Sequence, residues 1–274
     1  MIRRGLTRDV LRGVQAAFRL GHLPGHRDYT RFIILGRPRT GSNFLASALR
    51  SHGGIICFGE LFNYLRPDTI IWDYPGFEVT PEMLALRERD PIEFIDSRVF
   101  ARVPRHVKAV GFKLFYDQAQ EERWRGVWDR LKAQTDCKVI HLRRRNIVRA
   151  HLSEKIAVKT ERWSILRDDD AHRDVAVELT FSECLQTLED EREDSERYQL
   201  FFADHGVLEV FYEDLVSNTD AETDRIQRFL GVPRRQLRAK TRKQARQPLT
   251  TMISNYDELK RLCEGTALAE FLDE

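Results

Sequence analysis

The segment RFIILGRPRTGSNFL, residues 31 to 45, constrains this chain more than any other stretch. Arg31 to Leu35 is a short apolar run that reads as a buried strand. Gly36 to Gly41 makes a tight loop, and Ser42 begins a helix running to about Ser51. A strand, a glycine-bounded loop and a helix in that order form an anion cradle. Amide hydrogens of the loop and first helical turn converge on one point, and the helix N-terminus adds positive potential. Gly36 and Gly41 let the backbone approach closely. Arg39 offers a fork of donors, Thr40 and Ser42 offer hydroxyls, and Arg37, Pro38 and Asn43 complete the lining.

The spacing is similar to a phosphate-binding P-loop, with one departure. Gly41 is followed directly by Ser42, with no lysine between them. Nucleoside triphosphatases use that lysine with a magnesium-binding hydroxyl beside it, so ATP or GTP hydrolysis is disfavoured. No metal site is expected either. The four cysteines, Cys57, Cys137, Cys184 and Cys263, show no paired spacing with one another or with histidine. They read as reduced thiols of a cytoplasmic protein, with a structural disulfide as the lesser alternative.

The 274 residues suffice for one substantial core. A content of 42% hydrophobic and 32% charged residues excludes a disordered chain. The 45 basic and 43 acidic residues nearly cancel, which gives no ground for a nucleic-acid partner. Basic runs lie around Arg143 to Arg149 and from Arg234 to Arg246, and acid dominates from Asp168 to Glu196. Such runs read as solvated helix faces, although the basic ones also suit anionic ligands. No stretch reaches about 18 apolar residues, so no membrane span is expected. The start, MIRRGLTRDVLRG, lacks an apolar signal core. Its Leu6, Val10, Leu11 and Val14 share one helical face, which suits packing on the body of the protein first and leaves peripheral membrane association open.

Short apolar runs alternate with longer helical patterns along the rest of the chain. Strands are expected at Ile55 to Phe58, Val107 to Phe112, Lys138 to Leu142 and Val207 to Phe211. Helices are expected at Pro81 to Arg89, Pro91 to Arg102, Ala119 to Lys132, Asn146 to Lys159, residues 179 to 204, Thr219 to Leu230 and Tyr256 to Leu268. That alternation predicts a three-layer α/β fold, P-loop-like, with a mainly parallel central sheet flanked by helices. With no repeat and no linker, residues 1 to 274 read as a single domain. Its core spans about residues 31 to 260, with helical decorations at about 63 to 105 and 160 to 200.

A second candidate anion site is VIHLRRRNIVRAHLS, residues 139 to 153. A strand delivers Arg145 to the mouth of a helix, and Ser153 follows about two turns down it. Arginine and hydroxyl in that placement can clamp one phosphate. Arg143 and Arg144 are neighbours that offer other registers.

Together these segments resemble the sulfotransferase family that uses 3'-phosphoadenosine-5'-phosphosulfate (PAPS). The bacterial members acting on glycolipids, nodulation factors and simple sugars such as trehalose are the most similar. Gly36 to Ser42 is similar to the family's 5'-phosphosulfate loop, with Arg39 where many members carry lysine or arginine. Arg145 and Ser153 match its 3'-phosphate motif. Val110 to Leu114 with Asp117-Gln118, Tyr212-Glu213-Asp214-Leu215, and Thr241 to Gln244 match it more weakly. Tyr212 also reads as a core aromatic, and Glu213 or Asp214 as a helix cap. The resemblance implies PAPS as co-substrate without a metal, and Arg242 and Lys243 closing over the nucleotide.

It further implies a general base. Glu60, in Phe58-Gly59-Glu60-Leu61-Phe62, fits the family's glutamate after the second strand, with His52 and His106 as alternatives. Arg39 and Lys113 join Glu60 as catalytic candidates, and His141 is a further group for the leaving phosphate. The acceptor expected is a carbohydrate or glycolipid hydroxyl, with Phe62, Tyr64, Trp72, Tyr74 and Phe77 available to stack on sugar rings. Related bacterial enzymes can be dimers, which leaves a homodimer open. The competing readings are a non-catalytic nucleotide-binding scaffold and a P-loop-like kinase.

Overall fold

The computed structural model describes residues 24–63, 79–161, 175–239 and 247–273, together with Ala17. The N-terminal face of Leu6 to Val14, the aromatic residues Tyr64, Trp72, Tyr74 and Phe77, and Arg242 with Lys243 lie outside the described residues.

Five strands form the central sheet: β1 (Thr30–Gly36), β2 (Ile55–Glu60), β3 (Ala109–Phe115), β4 (Lys138–Arg143) and β5 (Val207–Phe211). Their order is β2-β3-β1-β4-β5, and every pairing is parallel. Parallel strands need crossovers, and helices supply them. After β1 comes α1 (Ser42–Arg50). Between β2 and β3 come α2 (Pro81–Arg89) and α3 (Pro91–Phe94), the latter running into a π-helical turn at Ile95–Val99. Next come α4 (Gly126–Ala133) before β4 and α5 (Ile147–Thr160) after it. The long α6 (Phe181–Phe201) precedes β5. Then follow α7 (Tyr212–Ser217), α8 (Thr219–Leu230), α9 (Leu249–Met252) and α10 (Tyr256–Cys263).

Strand periodicity sorts the core into two faces. Ile33 and Leu35 point to the face covered by α2, α3, α4 and the end of α6, where Phe94, Trp124, Trp128 and Tyr198 are buried. Phe32 and Ile34 point to the face covered by α1 and α8, through Leu45, Leu49, Ile226 and Leu230. A third cluster joins α5 and α6 to α9 and α10. These are the expected three layers. Among the described residues no helix is long and apolar enough to cross a membrane.

Some bounds differ from the sequence reading for identifiable reasons. The helix expected from Ala119 begins only at Gly126, because Ala119 sits at φ 55 and a 3-10 turn at Glu122–Trp124 intervenes. The helix expected to reach Arg102 ends at Phe100 (φ −93, ψ 44), where Val103 leaves to pair with His26. The last helix stops at Cys263 rather than Leu268. All four cysteines are buried as free thiols.

Candidate active site

The site lies at the C-terminal edge of the sheet, where β1, β2, β3 and β4 all end. The loop after β1 is shaped by two glycines. A Cβ on Gly36 would stand 2.2 Å from the Leu142 carbonyl oxygen, so β1 and β4 touch there backbone to backbone. Gly41 adopts φ 87, and a Cβ on it would meet the Tyr212 ring at 2.4 Å. Arg39 is also left-handed, at φ 66, an uncommon conformation for a residue with a side chain. The loop is braced from several sides. The Thr40 hydroxyl donates to the Arg37 carbonyl at 2.8 Å. Arg144 donates to the Arg39 carbonyl at 3.1 Å and lies over the Tyr212 ring. The start of α1 has no side-chain cap and no acidic residue in its first turn. Its first amide hydrogens therefore face out as donors, in the field of the helix N-terminus.

Arg39 does not point into solvent. Its Nε and Nη2 both donate to Ser153 Oγ on α5, at 3.0 and 2.9 Å. Burial pulls the guanidinium's pKa down, opposed by the nearby Glu154 and Tyr212. A desolvated, fixed cation beside free amides is a strong electrostatic site for an anion. The structure thus brings the two sequence-predicted anion segments together through Arg39 and Ser153.

Arg145 is placed differently. It forms a bidentate pair with Asp214, at 2.7 and 2.7 Å, and stacks on Phe211 at 4.1 Å. Among the described residues no hydrogen bond joins it to Ser153, whose hydroxyl is held by Arg39. The hydrogen bonds from Arg145 hold the Asp214 carboxyl below its usual range. The neighbouring Glu213 accepts the Arg145 and Asn146 amides at 3.0 and 3.2 Å, just before α5, whose cap is the Asn146 side chain accepting the Arg149 amide at 2.8 Å. Tyr212 is half-buried under the loop, a seat for Gly41 more than a core aromatic.

The other cluster centres on Glu60. Cys57 pairs with Gly111 and Glu60 with Lys113, so three steps along β2 match two along β3. This bulge carries the strand through Gly59, where the sequence reading closed it, and sets Glu60 opposite Lys113. Lys113, only 2% exposed, donates from Nζ to Glu60 Oε1 at 3.1 Å and to Asn43 Oδ1 at 2.6 Å. Asn43 lies in the first turn of α1, so one ammonium ties Glu60 to the anion loop. Asn63 and Gln118 both donate to Glu60 Oε2, at 2.7 and 3.0 Å. Asp117 stands beside this group. The residue is open to solvent on one side, yet desolvation by the surrounding protein raises the carboxyl's pKa, and Glu60 and Glu154 add repulsion.

Several residues kept in play by the sequence lie elsewhere. His52 is buried, bonded to the Pro233 carbonyl and the Gly54 amide. It and His106 sit at the N-terminal edge of the sheet, roughly 17 Å from Glu60 along β2. His141 is enclosed in the core beneath the site, bonded to the Tyr116 hydroxyl, and burial lowers its pKa to about 4. Phe62 cannot stack on a ligand, because it is packed edge-on among Phe94, Phe112 and Trp124. The sequence reading missed the acidic face of α6. Asp190 and Asp194 hold Arg37 at 3.8 and 3.6 Å, and Glu191 holds Arg143 at 3.2 Å. Asn63 was missed as well. Its spacing of three from Glu60 was the available signal. Among the described residues no group of three or more histidine, cysteine or acidic side chains is placed to hold a metal ion.

A parallel α/β sheet with an anion loop at its C-terminal edge, a fixed cation in the loop and a carboxylate joined to it defines a group-transfer site for anionic donors. A family model described as the sulfotransferase family matches residues 31–236, and the chain belongs to that family. It is an enzyme of sulfuryl transfer. It is 29% identical over 235 residues to Nodulation protein H of Rhizobium meliloti (strain 1021), across 84% of this chain and 89% of that protein. It is 27% identical over 244 residues to Nodulation protein H of Rhizobium tropici, across 88% and 92%. Among solved structures it is similar to a sulfotransferase from Alicyclobacillus acidocaldarius, at 18% identity and TM-score 0.47, over 88% of this chain and 92% of that one.

Proposed function

We propose that this enzyme moves a sulfuryl group from PAPS to a carbohydrate hydroxyl, with Glu60 as general base. The observation that carries the reading is the Lys113 bridge, which joins the Glu60 carboxylate to Asn43 at the mouth of the anion loop. It puts a base and an anion cradle within one hydrogen-bonded group.

In this reading the loop from Arg37 to Asn43, with Pro38, Thr40, Gly41 and Ser42, holds the sulfonate and 5'-phosphate. Arg145, Ser153, Arg242 and Lys243 serve the nucleotide's phosphates. The acceptor hydroxyl attacks sulfur in line, a new O–S bond forms, and the S–O bond to the 5'-phosphate breaks. Glu60 takes the acceptor's proton. Arg39 and Lys113 oppose the charge that grows on the leaving phosphate, so no metal is required. The leaving product is 3'-phosphoadenosine-5'-phosphate (PAP).

The carbohydrate acceptor is supported by the matched motifs and by the nodulation proteins among the relatives. The same reading takes residues 1 to 274 as one domain. It places the enzyme in the cytoplasm, with a homodimer and contact with a membrane surface open for a lipid-linked acceptor.

Transfer of labelled sulfate from PAPS to a panel of sugars, trehalose and chitotetraose among them, tests this. Glu60→Gln is expected to lower kcat by about 100-fold or more. Its affinity for PAP, titrated calorimetrically, should stay within about twofold of wild type. Full turnover by Glu60→Gln would remove the base assignment. Equal weak binding of PAP, ATP and 5'-AMP would remove the donor assignment.

A further inference from the structure

The two oxygens of Glu60 are not equivalent. A carboxylate offers about four acceptor positions, two on each oxygen. On Oε2 both are taken, by Asn63 Nδ2 at 2.7 Å and Gln118 Nε2 at 3.0 Å. On Oε1 only Lys113 donates among the described residues, at 3.1 Å. One acceptor position of Oε1 is therefore left, on the oxygen held by the lysine that also bonds the anion loop.

Gln118 is built for one orientation. Its Oε1 accepts the Phe115 amide hydrogen at 3.2 Å, and a backbone N–H can only donate. The amide cannot flip without losing that bond, so its NH2 must face Glu60. Its backbone is held too, because the Trp128 indole donates to the Gln118 carbonyl at 3.0 Å. The side chain is 2% exposed, so neither bond is exchanged with bulk water.

We infer that Gln118 and Asn63 are positioning residues that saturate Oε2 of Glu60 and leave Oε1 as the atom that receives the acceptor's proton. The inference rests on Glu60 being the base. Locking one oxygen fixes the rotation of the carboxylate, so the remaining lone pair of Oε1 keeps one direction through the reaction. Neither amide gains or loses a proton in the step. Only the acceptor O–H breaks, and a new O–H forms on Oε1.

The test uses the full-length enzyme with PAPS and whichever sugar of the panel it sulfates, beside calorimetry with PAP. Gln118→Leu removes a donor and is expected to lower kcat about 10-fold to 100-fold. The Kd for PAP should stay within about twofold. Gln118→Glu keeps the acceptor for the Phe115 amide but sets a second carboxyl against Oε2. Two carboxyls in contact share a proton, so the acidic limb of kcat against pH should move up by about one pH unit or more. A position 118 that did not reach the titrating base would leave that limb in place. Asn63→Asp makes the same change from the half-buried side of Oε2 and decides the question if the position 118 variants do not fold. Variants that bind PAP normally and leave both kcat and the acidic limb in place would overturn the inference. Glu60→Gln separates the two levels. If it is inactive while the amide variants are unaffected, only the positioning inference fails. If it is fully active, the base assignment fails and this inference with it.

Discussion

Arg39 and Ser153, 114 residues apart in the chain, are joined by two hydrogen bonds from one guanidinium to one hydroxyl, at 3.0 and 2.9 Å. The pair ties the loop after β1 to the second turn of α5. It means that the hydroxyl proposed for the nucleotide's 3'-phosphate also sets the direction of the loop's cation. Removing it should disturb the bound bisphosphate directly and take away the two hydrogen bonds that Arg39 makes to it. Ser153→Ala is therefore expected to weaken PAP binding about tenfold, the value of one hydrogen bond to a charged group. Affinity for 5'-AMP should change less. Ser153→Thr keeps the hydroxyl and should recover most of the loss. Calorimetric titration of the three proteins checks this, and unchanged PAP affinity in Ser153→Ala would remove Ser153 from the site.

Arg145 meets Asp214 where the proposed function would have it meet a phosphate. Both side chains are about half exposed, at 49% and 44%, so their pair contributes under about 1 kcal/mol to stability. Asp214 then acts as a competitor for the guanidinium. Asp214→Asn should leave the melting temperature nearly unchanged and tighten PAP roughly threefold to fivefold, with the gain shrinking as salt is raised. Weaker PAP binding in Asp214→Asn would show instead that the carboxylate holds Arg145 in its working position.

The sequence carried the strand, loop and helix around Gly36 to Ser42 because each is fixed locally: an apolar run, two glycines and a helix start. The five strands were legible for the same reason. What escaped depends on distant partners. The bulge that aims Glu60 arises in the pairing of β2 with β3, and no residue of β2 alone announces it. The acidic run on α6 looked like a solvated face, because its partners Arg37 and Arg143 arrive from the loop after β1 and from the end of β4. Arg145 stands at the motif's spacing from Ser153, and spacing along the chain cannot reveal that Asp214 approaches from another segment. Phe62 looked available for a sugar ring only because its aromatic partners lie between 32 and 62 residues further on.

Gly41 and Tyr212 provide a separable test of the loop. An alanine at position 41 meets two obstacles, the left-handed φ of 87 and the Tyr212 ring at 2.4 Å. Gly41→Ala should weaken PAP by at least about tenfold and lower stability by about 1–3 kcal/mol. Adding Tyr212→Ala removes the ring but not the backbone strain, so the double variant should regain only part of the stability. Thermal denaturation beside PAP titration reads both effects. Wild-type binding by Gly41→Ala would mean that the loop does not hold the donor.

His141 makes the fold itself sensitive to acid. It is 1% exposed, bonded to the Tyr116 hydroxyl, and burial holds its pKa near 4 against an ordinary 6.5. Between those values the unfolded chain binds the proton and the folded chain does not. Stability therefore rises with pH through that window, and is lost as pH falls from about 6.5 toward about 4. The gap corresponds to about 3–4 kcal/mol at most. Asp117 and Glu191, whose carboxyls are pushed up chiefly by burial, act with the opposite sign. They are present in both wild type and His141→Gln, so the difference between the two proteins isolates the imidazole. Denaturant unfolding at pH 7.0 and pH 5.0 should show a smaller loss for His141→Gln than for wild type. Equal losses would mean that the ring is reached by protons without unfolding, and that the Tyr116 hydrogen bond does not hold it neutral.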